Sequence, residues 1–303
     1  MSYFHPNAGA AHLSQAGPQQ SACFVRPHSE ITAKVRAGWL GRTPSLGRST
    51  TGRQGLARID SGRDIPYHTD MKIKILGTRG EIPQSAPYHS RQSGILVDGE
   101  LMLDLGEEEF LKYRPKNILF THLHPDHAFF TRDPENAPEI GIPMYGPEPY
   151  NRGGIRVKKF EGSGKLGNFR IRTIPVIHSL KVDSHAIIVS RGGRRFLYTG
   201  DMLWIKKWYH RYFKDLDLVI TEGSFIRKSG MVRRDKETGR IYGHAGVGKL
   251  IGTFAPYTDR IVLVHFGSWL YRNMKKGRRK VQDLADREGV EVTVGYDGLE
   301  VSV

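Results

Sequence analysis

Residues 121–128 read Thr-His-Leu-His-Pro-Asp-His-Ala and place four potential metal ligands, His122, His124, Asp126 and His127, within six consecutive positions. Packing alone needs no such density of imidazole and carboxylate. His122 and His124, two apart, can point to the same side of an extended backbone. Asp126 and His127 lie beyond Pro125 and can turn towards a second point nearby. That spacing suits two neighbouring metal ions, each taking further ligands from elsewhere. Residues of the right type follow later apolar runs: His178 after "TIPVI", Asp201 after "FLYTG" and His265 after "IVLV". Gly200 gives the backbone room to turn just before Asp201. A single strand-end histidine is usually structural, but this ordered series after a compact cluster points to a metal centre. Two divalent cations sharing a water lower its pKa towards neutrality and can hold a phosphoryl oxygen during an in-line displacement.

These side chains need strand ends to carry them. The cluster follows "NILF", which places it on a loop at the carboxyl end of a short strand. Period-2 and continuous apolar runs predict strands at 71–76, 94–98, 100–104, 117–121, 169–176, 185–190, 194–199, 216–221, 260–265, 291–294 and 299–303. Helices are expected at about 107–113, 202–213, 245–256 and 274–288. Helices intervene less often than a strict βαβ repeat requires. The expectation is an α/β chain with two mixed sheets packed together and helices outside.

The chain has 303 residues, with 38% hydrophobic and 25% charged, which suits a globular protein with a buried core. No apolar run approaches the ~18–20 residues of a membrane span, and no secretory signal opens the chain, so a cytoplasmic location without membrane attachment is expected. One cysteine, Cys23, leaves no internal disulfide and no cysteine-based zinc cluster. Residues 1–70 are rich in Gly, Ser, Gln, Ala and Arg without sustained periodicity, and read as a disordered N-terminal extension or an over-long start before Met71. Residues 71–303 are expected to form the folded domain. The formal net charge of +15 favours anionic partners, and residues 1–70 carry only +4 of it, from eight cationic against four anionic side chains.

The series HxHxDH, lone His, Gly-Asp, final His resembles the ligand series of the metallo-β-lactamase superfamily of metallohydrolases, over Met71 to Val303. The resemblance implies a four-layer αβ/βα sandwich with the metals at one edge. It implies that His122, His124 and His178 hold one ion, that Asp126, His127 and His265 hold a second, and that Asp201 bridges both. Two divalent ions are thus the implied cofactors, zinc first, with manganese and iron as alternatives. Asp126 would orient or deprotonate the nucleophile, a hydroxide shared by the metals.

Further motifs are similar to the RNase Z side of the superfamily. "MKIKILGTRGEIPQ" resembles its opening strand and Gly-Thr-x-Gly turn, "ITEGSF" its glutamate-bearing strand end, and "IYGHAGVGKLIGTFAPYTDRIVLVHFG" its penultimate histidine motif. By that match His244 contacts the phosphate and donates a proton to the leaving oxygen, oriented by Glu222. The alternative is that His244 only caps the following helix. The chain departs from RNase Z in leaving just 22 residues between His178 and Asp201, too few for the tRNA-binding arm, and in having Asp183-Ser184-His185 there. That spacing looks more like the cyclic phosphodiesterases related to RNase Z. The implied function is a phosphodiesterase or nuclease. Hydrolysis of a lactone, thioester or other small ester is the alternative, and a non-catalytic nucleic-acid-binding protein the third. Basic runs at 206–214, 227–234 and 272–280 could form a rim for a nucleic-acid substrate, and RNase Z relatives allow a homodimer. His68, His89, His185 and His210 fall outside the motif series and read as structural or surface residues.

Overall fold

The computed structural model describes residues 70–303, so the extension expected at 1–70, with Cys23 and His68, lies outside the described residues apart from Asp70. The first sheet is built from β1 (Lys72–Gly77), β2 (Gly94–Val97), β3 (Leu101–Leu103), β4 (Asn117–Leu119), β5 (Met144–Gly146), β6 (Tyr150–Arg152) and β7 (Ile155–Lys159). The second begins with β8 (Ser163–Leu166), β9 (Phe169–Pro175), β10 (His185–Arg191), β11 (Arg194–Tyr198) and β12 (Leu218–Gly223). A separate hairpin, β13 (Met231–Arg234) and β14 (Ile241–His244), precedes helix α1 (Val247–Phe254). Strand β15 (Arg260–Phe266), helices α2 (Ser268–Arg272) and α3 (Met274–Glu288) and strand β16 (Glu291–Val294) continue the second sheet, and β17 (Glu300–Ser302) returns to the edge of the first. The strand orders are β17-β1-β2-β3-β4-β5-β7-β6 and β16-β15-β12-β11-β10-β9-β8.

Alternation along the strands explains the layering. In β12, Leu218 and Ile220 join a core shared with Ile73, Ile75, Leu103 and Phe169, so they face the other sheet. Val219 between them packs with Val247, Leu250, Phe254, Val281 and Ala285 under α1 and α3. In β15, Val262 and Val264 face inwards while Ile261 and Leu263 face the helices. A strand buried on both faces has no polar positions left, which is why these stretches are continuous apolar runs. The outer face of the first sheet packs Met102 and Ile118 against Phe110 and Phe130 from short 3₁₀ turns. Two mixed sheets with helical elements on both outer faces make the α/β sandwich expected.

The expected helix at 202–213 is not formed over most of its length. Ile177 pairs with this segment instead: its N–H donates to Trp204 O at 2.8 Å and its carbonyl accepts from Leu203 N at 2.7 Å. The Met202 N–H is taken by Glu222 Oε1 at 2.6 Å. With those groups committed, residues 202–206 form no helix and only Lys207–Tyr212 turns, as a 3₁₀ segment. The segment 107–113 is likewise a 3₁₀ turn, Glu108–Tyr113. Among the described residues no helix is long and apolar enough to cross a membrane.

Candidate metal centre

All seven ligand-type residues singled out in the sequence come together at one edge of the sandwich, carried by loops leaving β4, β9 and β11 and by β15 itself. The cluster loop is closed by His124 O, which accepts from His127 N at 2.9 Å and Ala128 N at 2.8 Å, so Pro125 and Asp126 lie in a tight turn. That turn separates two groupings whose donor atoms lie within 4.8 Å of one another: His122, His124 and His178, and then Asp126, His127, Asp201 and His265. In the first, His124 Nδ1 is 3.0 Å from His122 Nε2 and 3.2 Å from His178 Nε2.

Asp201 stands between the two. Its Oδ2 is 3.9 Å from His122 Nε2 and 3.6 Å from His178 Nε2. Its Oδ1 is 3.4 Å from His127 Nε2 and 3.2 Å from His265 Nδ1, yet it has no partner in hydrogen-bond geometry although fully buried. Gly200 makes this placement possible: its φ is +54°, and a Cβ there would sit 2.6 Å from the Thr121 Cβ.

The residues present fit divalent ions. Burial and neighbouring imidazoles hold His122 well below its usual value, burial brings His124 down to about 4, and burial also lowers His178. Neutral imidazoles are the form that donates a lone pair to a metal. Asp126 stays ionised, its carboxyl held at about 2: burial opposes this, and His127 with the His265 hydrogen bond at 2.8 Å outweighs it. Burial likewise opposes charge on His127, but Asp201, Asp104 and Asp126 raise it well above the ordinary value. So much carboxylate in a buried pocket demands positive charge, and the unpartnered Asp201 oxygen faces where that charge belongs.

Supporting contacts fix the donors. Asp104, buried at the end of β3, accepts from His127 Nδ1 at 2.7 Å, Tyr198 OH at 2.8 Å, Thr121 N at 2.7 Å and Thr121 Oγ1 at 2.9 Å. His178 Nδ1 donates to Gly243 O at 3.1 Å, which turns its Nε2 to the centre. His265 holds a left-handed backbone, φ 52°, with Ser224 Oγ 2.9 Å from its Nδ1. Asp104 was legible in principle, since "LML" followed by Asp is the same strand-end form as the other ligands. Ser224 had no such signal.

His244, at the end of β14, donates from Nδ1 to Glu222 Oε2 at 2.8 Å. Burial disfavours its charged form, but the buried Glu222 carboxylate and then Asp201 lift it to about 9. His244 also comes within ligand distance of His178 and Asp201 as a third grouping. It precedes α1 by two residues, and its side chain is engaged by Glu222 rather than by the helix end. His124, Asp126, His178, Asp201 and His265 line a cavity of about 590 Å³, together with His244, Glu81, Phe225, Arg227, Trp269 and Arg272. Trp269 is fixed by its indole N–H, which donates to Gly223 O at 2.7 Å. Of the three basic runs, two reach the cavity, through Arg227 and Arg272. The run at 206–214 leads away from it, its far end held by Arg195 at the start of β11, which donates to Tyr212 O at 3.0 Å. His89 and His185 are buried, and His210 lies 3.2 Å from Tyr257 OH.

An αβ/βα sandwich with a His/Asp cluster at one edge defines a class of metal-dependent hydrolases. The family model described as metallo-beta-lactamase superfamily matches residues 93–244, 152 of the 303 positions, and the chain belongs to that superfamily. Several solved structures share the fold. The metallo-beta-lactamase fold protein YhfI from Bacillus subtilis superposes with a TM-score of 0.58 at 19% identity, covering 78% of this chain and 100% of that one. A diphosphatase from the PhnP family gives a TM-score of 0.53 at 14% identity over 78% and 98% of the two chains. Zn²⁺-bound PqqB from Methylobacterium extorquens gives 0.50 at 15% identity over 77% and 100%. No curated protein matches the chain by sequence.

Proposed function

We propose that this superfamily member hydrolyses phosphodiesters and stands with the RNase Z-like and cyclic-phosphodiesterase-like branch that lacks a tRNA-binding arm. The observation that carries the reading is the His244–Glu222 pair, 2.8 Å apart, in which His244 lines the same cavity as the ligand cluster and Glu222 is buried behind it. A cationic imidazole there can hold a phosphoryl oxygen and give its proton to the departing alkoxide. Hydrolysis of a carboxylic ester has less use for a second cation next to the metals.

In this reading His122, His124 and His178 would hold one ion and Asp126, His127 and His265 the other, and Asp201, which stands between the two groupings, would serve both. Zinc suits the donor set, and manganese or iron is accepted by the same atoms. When bound, such ions supply Lewis acidity that polarises a phosphoryl oxygen and acidifies the attacking water. Asp126, ionised within the ligand cluster, would orient or deprotonate the nucleophile. Glu222 keeps His244 charged and fixes its ring. Arg227 and Arg272 at the mouth draw an anionic substrate in, and Phe225 and Trp269 offer flat apolar surface to its organic part.

The test is hydrolysis of bis(p-nitrophenyl) phosphate, a cyclic nucleotide, single-stranded RNA and DNA, and a lactone, with zinc and with manganese. Cleavage of at least one phosphodiester is expected, and His244→Ala should depress it with metal content unchanged. Absence of phosphodiester cleavage with either metal, or turnover of the lactone alone, sinks the reading.

A further inference from the structure

A second cleft, of about 450 Å³, lies between the turn end of the β13–β14 hairpin and the loop that follows His178. Arg234 and Arg240 line it from the hairpin, and Ser179, Asp183 and Ser184 from the loop. Ser184 is 6% exposed and its Oγ has no hydrogen-bond partner. Leaving a buried hydroxyl unpaired is unfavourable unless something else takes its proton. Arg234 spends one N–H on Gly239 O at 2.7 Å, and the Arg240 guanidinium has no hydrogen-bond or ion-pair partner among the described residues. Asp183 is the one carboxylate in the lining against two guanidinia, with Asp235 of the hairpin turn in electrostatic reach of Arg240 and Glu148 accepting from Asp183 N at 3.3 Å. Two fork-shaped donors and a buried hydroxyl form a receptor for a phosphate oxyanion.

The cleft adjoins the metal centre. Ser179 lines it and also places its Oγ 3.4 Å from His124 Nε2, while His124 lines the cavity holding the ligands. A small phosphodiester needs only that cavity. A second basic cleft on the far side of Ser179 serves a substrate that continues past the scissile bond. We propose that the cleft between the β13–β14 hairpin and the His178 loop holds the phosphate adjacent to the scissile one in a single-stranded nucleic acid. This rests on the phosphodiester reading and commits it to a polymer.

Binding without divalent metal, so that no cleavage occurs, provides the test. Anisotropy of a short fluorescein-labelled single-stranded RNA is followed with the full chain across a salt series, for wild type, Arg234→Ala/Arg240→Ala and Ser184→Ala. Each phosphate contact on a single strand contributes about 0.7 to the slope of log affinity against log salt, and both guanidinia serve one phosphate, so the double variant should lose about 0.7. Ser184→Ala, which removes no charge, should weaken binding at every salt concentration with the slope unchanged. Wild-type affinity and slope in both variants would overturn the proposal. Calorimetry with inorganic phosphate separates a free anion from a strand. Phosphate binding lost in the double variant while its RNA slope stays at the wild-type value would make the cleft a small-anion site and also overturn it. Wild-type turnover of bis(p-nitrophenyl) phosphate is measured alongside. Its absence counts against the phosphodiester reading and the slopes against the cleft, so the two failures are distinguishable.

Discussion

Replacing Glu222 by Gln tests how the buried pair works. The carboxylate touches two groups: Oε2 accepts from His244 Nδ1 at 2.8 Å and Oε1 accepts from Met202 N at 2.6 Å. Glutamine keeps the shape and can still accept from Met202 N, but it removes the charge. Burial already pulls the imidazole below 6.5, so its rise to about 9 is owed to anionic neighbours, Glu222 first. Losing that neighbour removes the largest of these while Asp201 and Asp126 remain, so His244 should fall from about 9 towards 6.5, by at most about 2.5 pH units (9 − 6.5). If the protonated imidazole is the general acid, activity falls as pH rises through its pKa. Cations bound at the cluster move that limb downwards in both proteins, so the separation between them is the quantity to read. One pH unit below the wild-type limb, the wild type is about nine-tenths protonated and a variant shifted by the full amount about 3%, so the loss there reaches at most roughly 30-fold. Well below both limbs the two should converge. The assay is kcat/KM against pH for a phosphodiester, with metal content measured in each protein. Coincident limbs, or a uniform loss at every pH, would refute the role given to Glu222.

Asp104→Ala strands His127, Tyr198 and Thr121 in a dry interior, and should cost about 3–5 kcal/mol in urea denaturation and about 10–100-fold in metal affinity by chelator competition. Removing metal with a chelator should lower the thermal midpoint, and restoring it at a hundredfold excess over its dissociation constant should return about 2.7 kcal/mol; an unchanged midpoint would argue against bound ions in the folded chain. His89 is lowered by burial first, with Arg278 adding to it, so its neutral form is the one the fold favours. The unfolded chain then binds the extra proton, and this contribution is complete above pH 6.5 and is lost as pH falls below it. His89→Gln should flatten that part of the stability–pH curve.

The centre was legible because its ligands are short-range signals attached to strands that are themselves plain. Leu218 to Ile220 and Ile261 to Val264 must be apolar on both faces, so their ends, and the ligands just beyond, are marked in the sequence. Short edge strands are not marked in this way. Tyr150–Arg152 and Ser163–Leu166 bury little, and of Met231–Arg234 with Ile241–His244 only Gly243 is fully buried, so none of them shows an apolar period. The segment after Asp201 has a helical distribution of side chains, but its backbone groups are claimed by Ile177 and Glu222, which no local pattern reveals. Trp269 reaches the cavity wall only because Gly223 O, 46 residues earlier, accepts its indole proton.

The hold on His178 comes from main chain. Gly243 donates its N–H to His178 O at 2.7 Å and accepts from His178 Nδ1 at 3.1 Å, so the residue beside His244 also aims His178. Backbone groups survive nearly every side-chain replacement, and point mutation can scarcely reach this tether except at Gly243 itself. There φ is +123° and a Cβ would lie 1.9 Å from Met231 O. Adding or deleting a residue in the hairpin is different: it slides Gly243 out of step and disturbs an aimed ligand and a proton donor together. Over evolutionary time this centre should therefore tolerate substitution along the hairpin far better than any change in its length.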